Sequence, residues 1–529
     1  MTTPRNILIV GGGTAGWLTA CYLAKVLGQN PAACPQITVI ESPDIGIIGV
    51  GEGTFPTIRT TLQTLGIDEA TFLRESTATY KQGIKFVDWE KTPRNGEHEH
   101  YLHPFDAPYF VDGAGLLPYW LLSDPATRPS FAEAVTFQKR VADAQRAPKR
   151  TYEGHFSGPL NFAYHFDAVK FAHLLADRGA ELGVQHLKGN ITDVVMAADG
   201  SIDHVMSPEH GTLKADLYID CSGFASILLG KAMGVPFKSV KDYLFTDRAL
   251  TCQVPYDAPK APINSYTVSA AHEAGWTWDI GLNDRRGIGY VYSGNHSSDE
   301  RAEQVLRAYI GDKGKDLPTR LIKFDAGYRE THWTKNCIGV GLSAGFFEPL
   351  EATGIMMIEV AAGMIAEFFP HDGPIDAAAP LFNNLMRQRY EKIVNFIKLH
   401  YCISKRDEPF WRDNADLKTI PDELRNMLDM WKHRPPSRFD FLTDVETFAY
   451  FSYQYILYGM GYKTDLEAAR GSYPNAEAAQ KIFDRIKGFG EHAVKDLPSH
   501  RDLIEEVYAH GFTEKQAERN FVVKQRVGA

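Results

Sequence analysis

A short apolar run that leads directly into a glycine-rich turn, near the start of the chain, constrains the fold more than any other feature. Residues 6–10 read Asn-Ile-Leu-Ile-Val, a pattern typical of a buried strand, and residues 11–16 read Gly-Gly-Gly-Thr-Ala-Gly, which fits G-x-G-x-x-G. Apolar side chains then recur at helical spacing up to Gly28, where a helix can end. The sequence therefore predicts a strand, a tight turn and a helix in direct succession.

The next apolar run completes a dinucleotide-binding pattern. Residues 37–40 predict a second buried strand, and Glu41 stands at its end, where a carboxylate can accept hydrogen bonds from a ribose. Glycines in the turn let a pyrophosphate approach the backbone N–H groups at the start of the helix. The spacing leaves NAD and FAD open, although a single such site at the beginning of a long chain favours a resident flavin. The residues expected to bind the cofactor here are Gly11, Gly13, Thr14, Ala15, Gly16 and Glu41.

The composition is that of an ordinary globular protein. With 529 residues, 44% of them hydrophobic, the chain can bury a large core, and we expect two closely packed lobes. The 56 Lys and Arg against 66 Asp and Glu give a net charge of -10 without a basic run, so nucleic acid is not an expected partner. Six cysteines without a C-x-x-C pair argue against a metal site and fit a reducing cytoplasm. An apolar stretch of roughly 18 residues is missing, so we expect no membrane span.

The rest of the chain predicts an α/β fold with a second, largely helical lobe. Residues 86–161 are aromatic with little periodicity, whereas residues 166–182 predict a helix and residues 215–220 predict a buried strand. We expect residues 1–380 to form the cofactor-binding core, with the segment of about 86–161 interleaved from the substrate lobe. Residues 381–529 are expected to form a mainly helical substrate-lobe and C-terminal region.

The string Asp-Cys-Ser-Gly at residues 220–223 follows that predicted strand. It would place Asp220 and Gly223 beside the cofactor if the strand returns next to the glycine turn. From the residues alone, an ordinary junction between a strand and a turn is an equally good interpretation.

Several further strings occur in an order that resembles the flavin-dependent tryptophan halogenases. They are G-W-L-T-A within the glycine turn, G-V-G-E-G-T-F-P-T-I at residues 49–58, Y-K-Q-G-I-K-F-V-D-W at 80–89, G-W-T-W-D-I at 275–280 and F-E-P-L-E-A-T-G-I at 347–355. That family carries a GWLTA-type FAD box, a K-x-x-x-[IV]-K-F segment, a G-W-x-W-x-I-P signature and a P-L-E-[SA]-T-G-I segment. The resemblance covers nearly the whole chain and implies an FAD-binding lobe of the monooxygenase type.

The resemblance implies that Lys81 and Glu351 are catalytic. Lys81 begins the K-x-x-x-I-K-F string, and it would hold hypohalous acid or become a haloamine that presents the halogen to the ring. Glu351 would polarise the halogenating species and stabilise or deprotonate the cationic ring intermediate. Without the resemblance, Lys81 is one of many solvated lysines and Glu351 a capping or ion-paired glutamate. For Glu348, three residues earlier, that ordinary interpretation is preferred.

The resemblance also implies where the halide and the flavin lie. Backbone N–H groups of Thr353 and Gly354 would bind chloride or bromide, because such donors attract an anion without adding a competing proton. Gly49, Trp276 and Trp278 would lie on the flavin side, where the tryptophans discourage ordinary monooxygenation. A Trp-x-Trp pair also predicts one face of a buried strand, and both interpretations are compatible.

For the substrate, the string Y-L-H-P-F supplies His103 and Phe105, which the resemblance places against a planar indole ring. Core packing is an equally good interpretation of Phe105. Residues 446–462 differ from the segment that grips the amino-acid group of free tryptophan in the family. The expected substrate is therefore indole, a substituted indole or a larger indole- or phenol-containing molecule. Gly281 replaces the signature proline, and Ala352 replaces a serine.

The activity implied is halogenation of an electron-rich aromatic ring with reduced FAD, O2 and halide, through hypohalous acid made within the protein. A separate flavin reductase would supply FADH2, because the chain has no second dinucleotide fingerprint, and the family suggests a homodimer. Two alternatives stay open, namely a flavin monooxygenase that hydroxylates an aromatic substrate and an inactive FAD-binding module. The mass of the product distinguishes halogenation from hydroxylation.

Overall fold

A computed structural model describes residues 6–28, 34–47, 49, 51–111, 114–370 and 373–513. Val50, within the glycine-rich string of residues 49–58, and the last part of the predicted C-terminal region, residues 514–529, lie outside the described residues. The strands, in chain order, are β1 (Asn6–Val10), β2 (Gln36–Glu41), β3 (Glu52–Gly53), β4 (Thr79–Lys81), β5 (Gly83–Val87), β6 (His100–Pro104), β7 (Phe110–Val111), β8 (Ala114–Gly115), β9 (Ala163–Phe166), β10 (Gln185–Lys188), β11 (Asp193–Met196), β12 (Ile202–Ser207), β13 (Gly211–Leu213), β14 (Leu217–Asp220), β15 (Phe237–Ser239), β16 (Arg248–Pro255), β17 (Thr267–His272), β18 (Gly275–Gly281), β19 (Arg285–Tyr292), β20 (Thr319–Lys323), β21 (Gly327–Arg329), β22 (Trp333–Thr334), β23 (Cys337–Gly339) and β24 (Gly345–Phe346). The α-helices are α1 (Thr14–Leu27), α2 (Ile58–Leu65), α3 (Glu69–Glu75), α4 (Leu117–Leu122), α5 (Phe131–Val135), α6 (Gln138–Asp143), α7 (Ala168–Glu181), α8 (Asp299–Ile310), α9 (Thr353–Glu367), α10 (Ala379–Cys402), α11 (Pro409–Ala415), α12 (Asp422–Trp431), α13 (Tyr450–Gly459), α14 (Ala476–Asp496) and α15 (His500–His510).

The predicted strand–turn–helix–strand unit is confirmed and forms part of a largely parallel sheet. The sheet has the strand order β10-β2-β1-β14-β23-β22, and only its edge strand β22 runs antiparallel to its neighbour. A parallel sheet is usually buried on both faces, which suits the apolar central strands β1 and β14. Helix α1 packs against α7 and α9. The helix predicted at 166–182 is α7, preceded by β9, and the strand predicted at 215–220 is β14.

A second sheet, with the strand order β20-β16-β19-β18-β17-β5-β6, packs beside the helices of the C-terminal region. Its neighbours are antiparallel except for β17 and β5, which are parallel. The Trp-x-Trp string lies in β18, every residue of which is buried, so the predicted buried strand is confirmed. The largest hydrophobic cluster contains residues from β1 to α15, so the two sheets and the helices share one core. The division into lobes at residue 380 stays a prediction.

A small sheet of β3, β9 and β4 connects these two layers. Strand β9 lies in the middle, and its register sets Gly53 and Thr79 opposite the same residue, His165, while Lys81 lies opposite Ala163. The glycine-rich string of residues 49–58 and the lysine string of residues 80–89 therefore lie on either side of β9.

The glycine turn after β1 is close-packed on one side and open on the other. Gly11 has a φ of 119°, and a Cβ at this position would lie 2.2 Å from the carbonyl oxygen of Cys221. A Cβ at Gly16 would lie 1.8 Å from the carbonyl oxygen of Gly11, whereas one at Gly13 would meet no described atom within 4 Å. The side of the turn at Gly13 is therefore free to receive a ligand.

Among the described helices, none combines the length and the apolar character that a membrane crossing requires. Within the described residues, there is also no cluster of three or more His, Cys, Asp or Glu side chains that could hold a metal ion.

We expect Gly16→Ala and Gly13→Ala to differ strongly in their effect on stability. The Gly16 variant forces the turn away from α1 and should lower the free energy of unfolding by about 2 kcal/mol or more, while the Gly13 variant should stay within about 0.5 kcal/mol of the parent. Chemical denaturation of the two purified proteins measures this. Equal losses in both variants would contradict the described packing of the turn.

Candidate active site

Three loops meet at the carboxyl edge of the parallel sheet, which is the usual ligand position in such a sheet. The loop after β14 contacts Gly11 through Cys221, and Gly341, after β23, approaches the first turn of α1 so closely that a Cβ there would lie 2.8 Å from Ala15 Cβ. Helix α1 begins after Gly13 with no side-chain cap and no acidic residue in its first turn. Its unpaired N–H groups therefore make an anion site suited to a pyrophosphate.

Glu41 lies beside this turn, as the sequence predicts. A Cβ at Gly12 would lie 2.4 Å from Glu41 Cγ, and the Glu41 side chain retains 30% of its exposure. Its Oε2 lies 2.9 Å from Nε2 of His186 on β10, a neighbour that the sequence analysis did not identify. Gly49 packs on the start of α7, where an added Cβ would lie 3.3 Å from Ala168 Cβ. The ribose role of Glu41 stays a prediction that its position supports.

Asp220 and Gly223 are both at the edge of the sheet, but they differ in what they can contact. The Asp220 carboxylate is fully buried and accepts hydrogen bonds from the N–H groups of Ser222, Leu228 and Leu229 at 2.8–3.0 Å. It therefore shapes the loop after β14 rather than facing the open side of the turn. Gly223, with a φ of 69°, has no described atom within 4 Å of an added Cβ.

The predicted catalytic lysine is buried behind this edge. Lys81 is 1% exposed, and its Nζ donates to the carbonyl oxygen of Thr54 at 3.3 Å. A Cβ at Gly53 would lie 3.2 Å from Lys81 Nζ and 3.4 Å from Ala352 Cβ, so the lysine ends beside the P-L-E-A-T-G turn. The glycine-rich string, the lysine and this turn therefore converge on one point.

Burial lowers the pKa of Lys81 to about 8, while the negative charge of Glu351 acts to raise it. A substantial fraction of the amine is therefore neutral in mildly alkaline solution. A neutral amine is a nucleophile, whereas an ammonium ion is not.

The P-L-E-A-T-G turn has an unusual backbone. Glu351 and Ala352 have φ values of 64° and 55°, and α9 begins immediately afterwards at Thr353. Left-handed conformations of non-glycine residues cost roughly 1–2 kcal/mol each and concentrate at functional sites. The turn leaves the N-terminus of α9 without a side-chain cap, and a Cβ at Gly354 would meet no described atom within 4 Å. The N–H groups predicted to bind the halide are thus at an uncapped helix start.

Glu351 points into a buried polar cluster that contains two histidines. Its Oε1 and Oε2 lie 2.9 and 3.0 Å from Nδ1 of His103, and Oε1 lies 3.1 Å from Nε2 of His400. Burial raises the pKa of the Glu351 carboxyl, but His103 and His400 outweigh it through charge and hydrogen bonds and lower the pKa to about 2. Glu351 is therefore an ionised carboxylate at neutral pH.

His103 and Phe105, the predicted substrate-binding pair, each lie next to one of the two predicted catalytic residues. His103 contacts Glu351, as described above, whereas Phe105 is half-buried with its ring centroid 5.4 Å from Lys81 Nζ. The ring of Phe55 lies 6.3 Å from that of Phe105. An aromatic surface thus adjoins the lysine, and contact of His103 and Phe105 with a substrate stays a prediction.

The two tryptophans of β18 are core residues, and Trp276 is linked to Glu348, just before the P-L-E-A-T-G turn. Trp276 Nε1 donates to Oε1 of Glu348 at 3.3 Å, and Tyr401 donates to the same atom at 2.6 Å. Burial raises the pKa of Glu348 to about 7, against the lowering effect of these donors. Glu348 therefore neither caps a helix nor forms an ion pair, but joins β18 and α10. Trp278 is also buried, and within the described residues its Nε1 has no hydrogen-bond partner.

Gly281, which replaces the family proline, ends β18 and pairs with Arg286 in the ladder. Its carbonyl oxygen accepts a hydrogen bond at 2.5 Å from Thr79, the first residue of the strand that carries Lys81. A proline could not donate an N–H group to the ladder, so the glycine allows the strand to continue to this point.

The sequence analysis missed His400, Thr54 and His186. His400 lies within the apolar helix α10, where a single histidine gives no spacing signal. Thr54 contributes only a backbone carbonyl, which no side-chain pattern reveals. His186 lies in an edge strand, and only the pairing of β10 with β2 brings it to Glu41.

A parallel sheet with an open glycine turn at its carboxyl edge, and a buried lysine and glutamate behind it, defines a dinucleotide-dependent enzyme. The Tryptophan halogenase family profile matches residues 6–472. Tryptophan 6-halogenase SttH of Streptomyces toxytricini is 34% identical over 516 residues, which cover 94% of this chain and 97% of that protein. The chain belongs to the tryptophan halogenase family, a family of flavin-dependent oxidoreductases.

Solved structures agree over the same length. The tryptophan halogenase of Shewanella frigidimarina superposes with a TM-score of 0.92 at 39% identity, covering 97% of this chain and 99% of that one. BrvH, a flavin-dependent halogenase from Brevundimonas, superposes with a TM-score of 0.84 at 30% identity, covering 95% and 99%. The predicted α/β fold with its helical second lobe is therefore confirmed.

We expect Gly13→Val to fold normally and to bind FAD at least about 10-fold more weakly. A Cβ at this position meets no described atom within 4 Å, and the side chain would occupy the open side of the turn where a pyrophosphate would approach the N–H groups of α1. Quenching of flavin fluorescence measures the affinity, and thermal unfolding without FAD checks the fold. Unchanged affinity in the folded variant would place the cofactor elsewhere.

Proposed function

We propose that the protein is an FADH2-dependent halogenase that acts on an indole or a related electron-rich aromatic ring. The observation that carries this proposal is the convergence of buried Lys81, buried Glu351 and the half-buried ring of Phe105. A hydroxylating monooxygenase has no need for a buried lysine beside a carboxylate at this point. The presence of both Lys81 and Glu351 therefore favours halogenation over hydroxylation. An inactive FAD-binding module would not need to retain either residue.

The glycine turn fits FAD. Gly11, Gly13, Thr14, Ala15 and Gly16 would hold the pyrophosphate at the start of α1, and Glu41 would hold the ribose. Gly49, Gly223 and the loop shaped by Asp220 would line the neighbouring edge, with Trp276 and Trp278 in the wall of β18. The open space at Gly13 and Gly223 supports this assignment. Reduced FAD, when bound, supplies the electrons with which O2 is activated to oxidise chloride or bromide to hypohalous acid.

The halide would be held by the N–H groups of Thr353 and Gly354 at the start of α9. Ala352 has no hydroxyl, so residue 352 offers only its backbone N–H group to a halide at this turn. Ala352 and the amine of Lys81 both lie close to Gly53, which supports a halide site near the lysine.

Lys81 would receive the halogen. The neutral amine attacks the halogen of hypohalous acid, an N–halogen bond forms, the oxygen–halogen bond breaks, and water leaves. The lowered pKa of Lys81, about 8, supports this route, because it makes the neutral amine available. Thr54 orients the amine by accepting its hydrogen bond.

Glu351 would then accept the proton of the ring. The ring displaces the halogen from the lysine nitrogen, which keeps the electron pair of the broken bond and takes up a proton to become the amine again. The carbon attacked loses its proton to the carboxylate, so one proton is gained and one is lost. A pKa of about 2 means that Glu351 is fully ionised and available as an acceptor when substrate binds.

The surroundings of α13 support an indole without an amino-acid group as the substrate. Within residues 446–462, Gln454 donates to the carbonyl oxygen of Pro436 at 2.8 Å, and Tyr455 donates to that of Asp106 at 2.9 Å. These two side chains are not free to hold an ammonium or a carboxylate, whereas Oε2 of Glu446 and Oγ1 of Thr447 have no hydrogen-bond partner within the described residues. Phe55 and Phe105, both half-buried, offer aromatic surface beside the lysine.

A separate flavin reductase would supply the reduced cofactor. We expect indole, incubated with the protein, FAD, such a reductase, NADH and bromide or chloride, to give a product in which one halogen replaces one hydrogen. Mass spectrometry detects it. A product with one added oxygen would favour a hydroxylating monooxygenase, and free tryptophan as the preferred substrate would correct the substrate class alone.

We expect Lys81→Met to abolish halogenation and to stabilise the fold near neutral pH. The pKa of Lys81 falls from 10.5 to about 8 on burial, so the charged form destabilises the folded state. The resulting decrease in the free energy of unfolding is present in full below a pH of about 8, and it disappears as the pH rises towards 10.5. Its removal should raise the free energy of unfolding by about 2 kcal/mol.

Lys85→Met is the matched control for this variant. Lys85 belongs to the same string but is partly exposed, and it pairs with Asp143 at 3.1 Å. It should remain active and should gain no stability. Halogenation at the parental rate by Lys81→Met would refute the role of the lysine.

A further inference from the structure

His400 has an unusual pair of neighbours. It is fully buried on α10, and its Nδ1 lies 2.8 Å from the carbonyl oxygen of Phe396, one turn earlier. Its Nε2 lies 3.1 Å from Oε1 of Glu351. Both ring nitrogens therefore face a hydrogen-bond acceptor.

A neutral imidazole carries one N–H group, so it can satisfy one of these acceptors but not both. A carbonyl oxygen never donates, which assigns a proton to Nδ1 of His400. The contact between Nε2 and Glu351 then needs a second proton, held either by His400 or by the carboxyl group. Two acceptors at 3.1 Å without a proton between them would repel each other inside a dry core.

The surroundings favour the proton on His400. Glu351 is also approached by Nδ1 of His103 and by the positive charge of Lys81, both of which favour a carboxylate over a neutral acid. Burial raises the pKa of Tyr101 and the negative charge of Glu351 raises it further, and its hydroxyl has no hydrogen-bond partner within the described residues. The ring centroid of Phe86 lies 5.1 Å from that of His400, a distance at which an aromatic ring can stabilise a cation.

We propose that His400 is a positioning residue whose imidazole is protonated at both nitrogens and holds Glu351 as an aligned carboxylate. It fixes one oxygen of Glu351 from α10, while His103 fixes the carboxylate from β6. The part of His400 in catalysis rests on the proposed function, in which that carboxylate accepts the ring proton. The protonation of His400 does not rest on the proposed function, and it can be measured in the resting protein.

The first experiment is NMR of the full chain with ¹⁵N-labelled histidine, near neutral pH. His400 is assigned by comparison with His400→Gln, and it should show the ¹⁵N shifts of an imidazolium at both nitrogens. His332 is the internal control, because it is buried and stacked on Tyr390, and burial lowers its pKa to about 3. It should give the shifts of a neutral ring. A neutral His400 would overturn the proposal, whether or not the protein halogenates indole.

The second experiment measures the pH profile of kcat in His400→Gln and His332→Gln. The glutamine amide can still donate to Glu351, but it carries no charge. The burial that raises the pKa of Glu351 is then opposed by fewer groups, so its pKa should rise. We expect kcat to fall about 10- to 100-fold near neutral pH, with KM little changed, and to recover as the pH is raised.

His332→Gln should keep the parental profile. A loss in His400→Gln that is equal at every pH, or that falls on KM alone, would indicate a merely structural histidine and would overturn the positioning role. Failure of the parent protein to halogenate any aromatic ring would refute the proposed function, while the NMR result would still decide the protonation of His400.

Discussion

The burial of the Glu351 carboxylate is the constraint on which the rest of the site depends. An ionised carboxyl group inside a protein is stable only when hydrogen bonds and positive charge replace the water that it has lost. Here those partners come from β6 and α10, and the strained turn before α9 aims the carboxylate at them. The Glu351 carboxylate thereby links helix α10, the second sheet and the start of α9. Lys81 lies in the same buried environment, and its burial lowers its pKa.

The two sheets have separate tasks, and the small sheet of β3, β9 and β4 connects them. The parallel sheet offers N–H groups and open space at its carboxyl edge, which suits a negatively charged cofactor. The second sheet buries its tryptophans and contains His103 in β6. Lys81 lies in β4, just before strand β5 of that sheet. Gly53 and Lys81 flank β9, so the glycine-rich string and the lysine string are held on either side of one strand.

Sequence reasoning succeeded where a local pattern carries its own physical explanation. The bounds of β1 match the predicted strand, α1 ends before Gly28, and Glu41 stands beside the turn, because these features depend on residues within one short segment. It succeeded less well at residues 86–161, where the short strands β6, β7 and β8 are followed by the short helices α4, α5 and α6 without a regular hydrophobic period. Asp220 was correctly placed at the sheet edge, but only its contacts show that the carboxylate is used by its own loop.

The sequence by itself determined the dinucleotide turn, the family and the identities of Lys81 and Glu351, because each is written in a contiguous string of residues. The tertiary structure alone decided that His103 and His400 share the Glu351 carboxylate, that Thr54 orients the lysine and that Glu348 joins Trp276 to Tyr401. These partners are separated by tens to hundreds of residues, and no spacing rule relates them. Their protonation and charge depend on how much water the fold removes, which is a property of the packed chain and not of any segment within it.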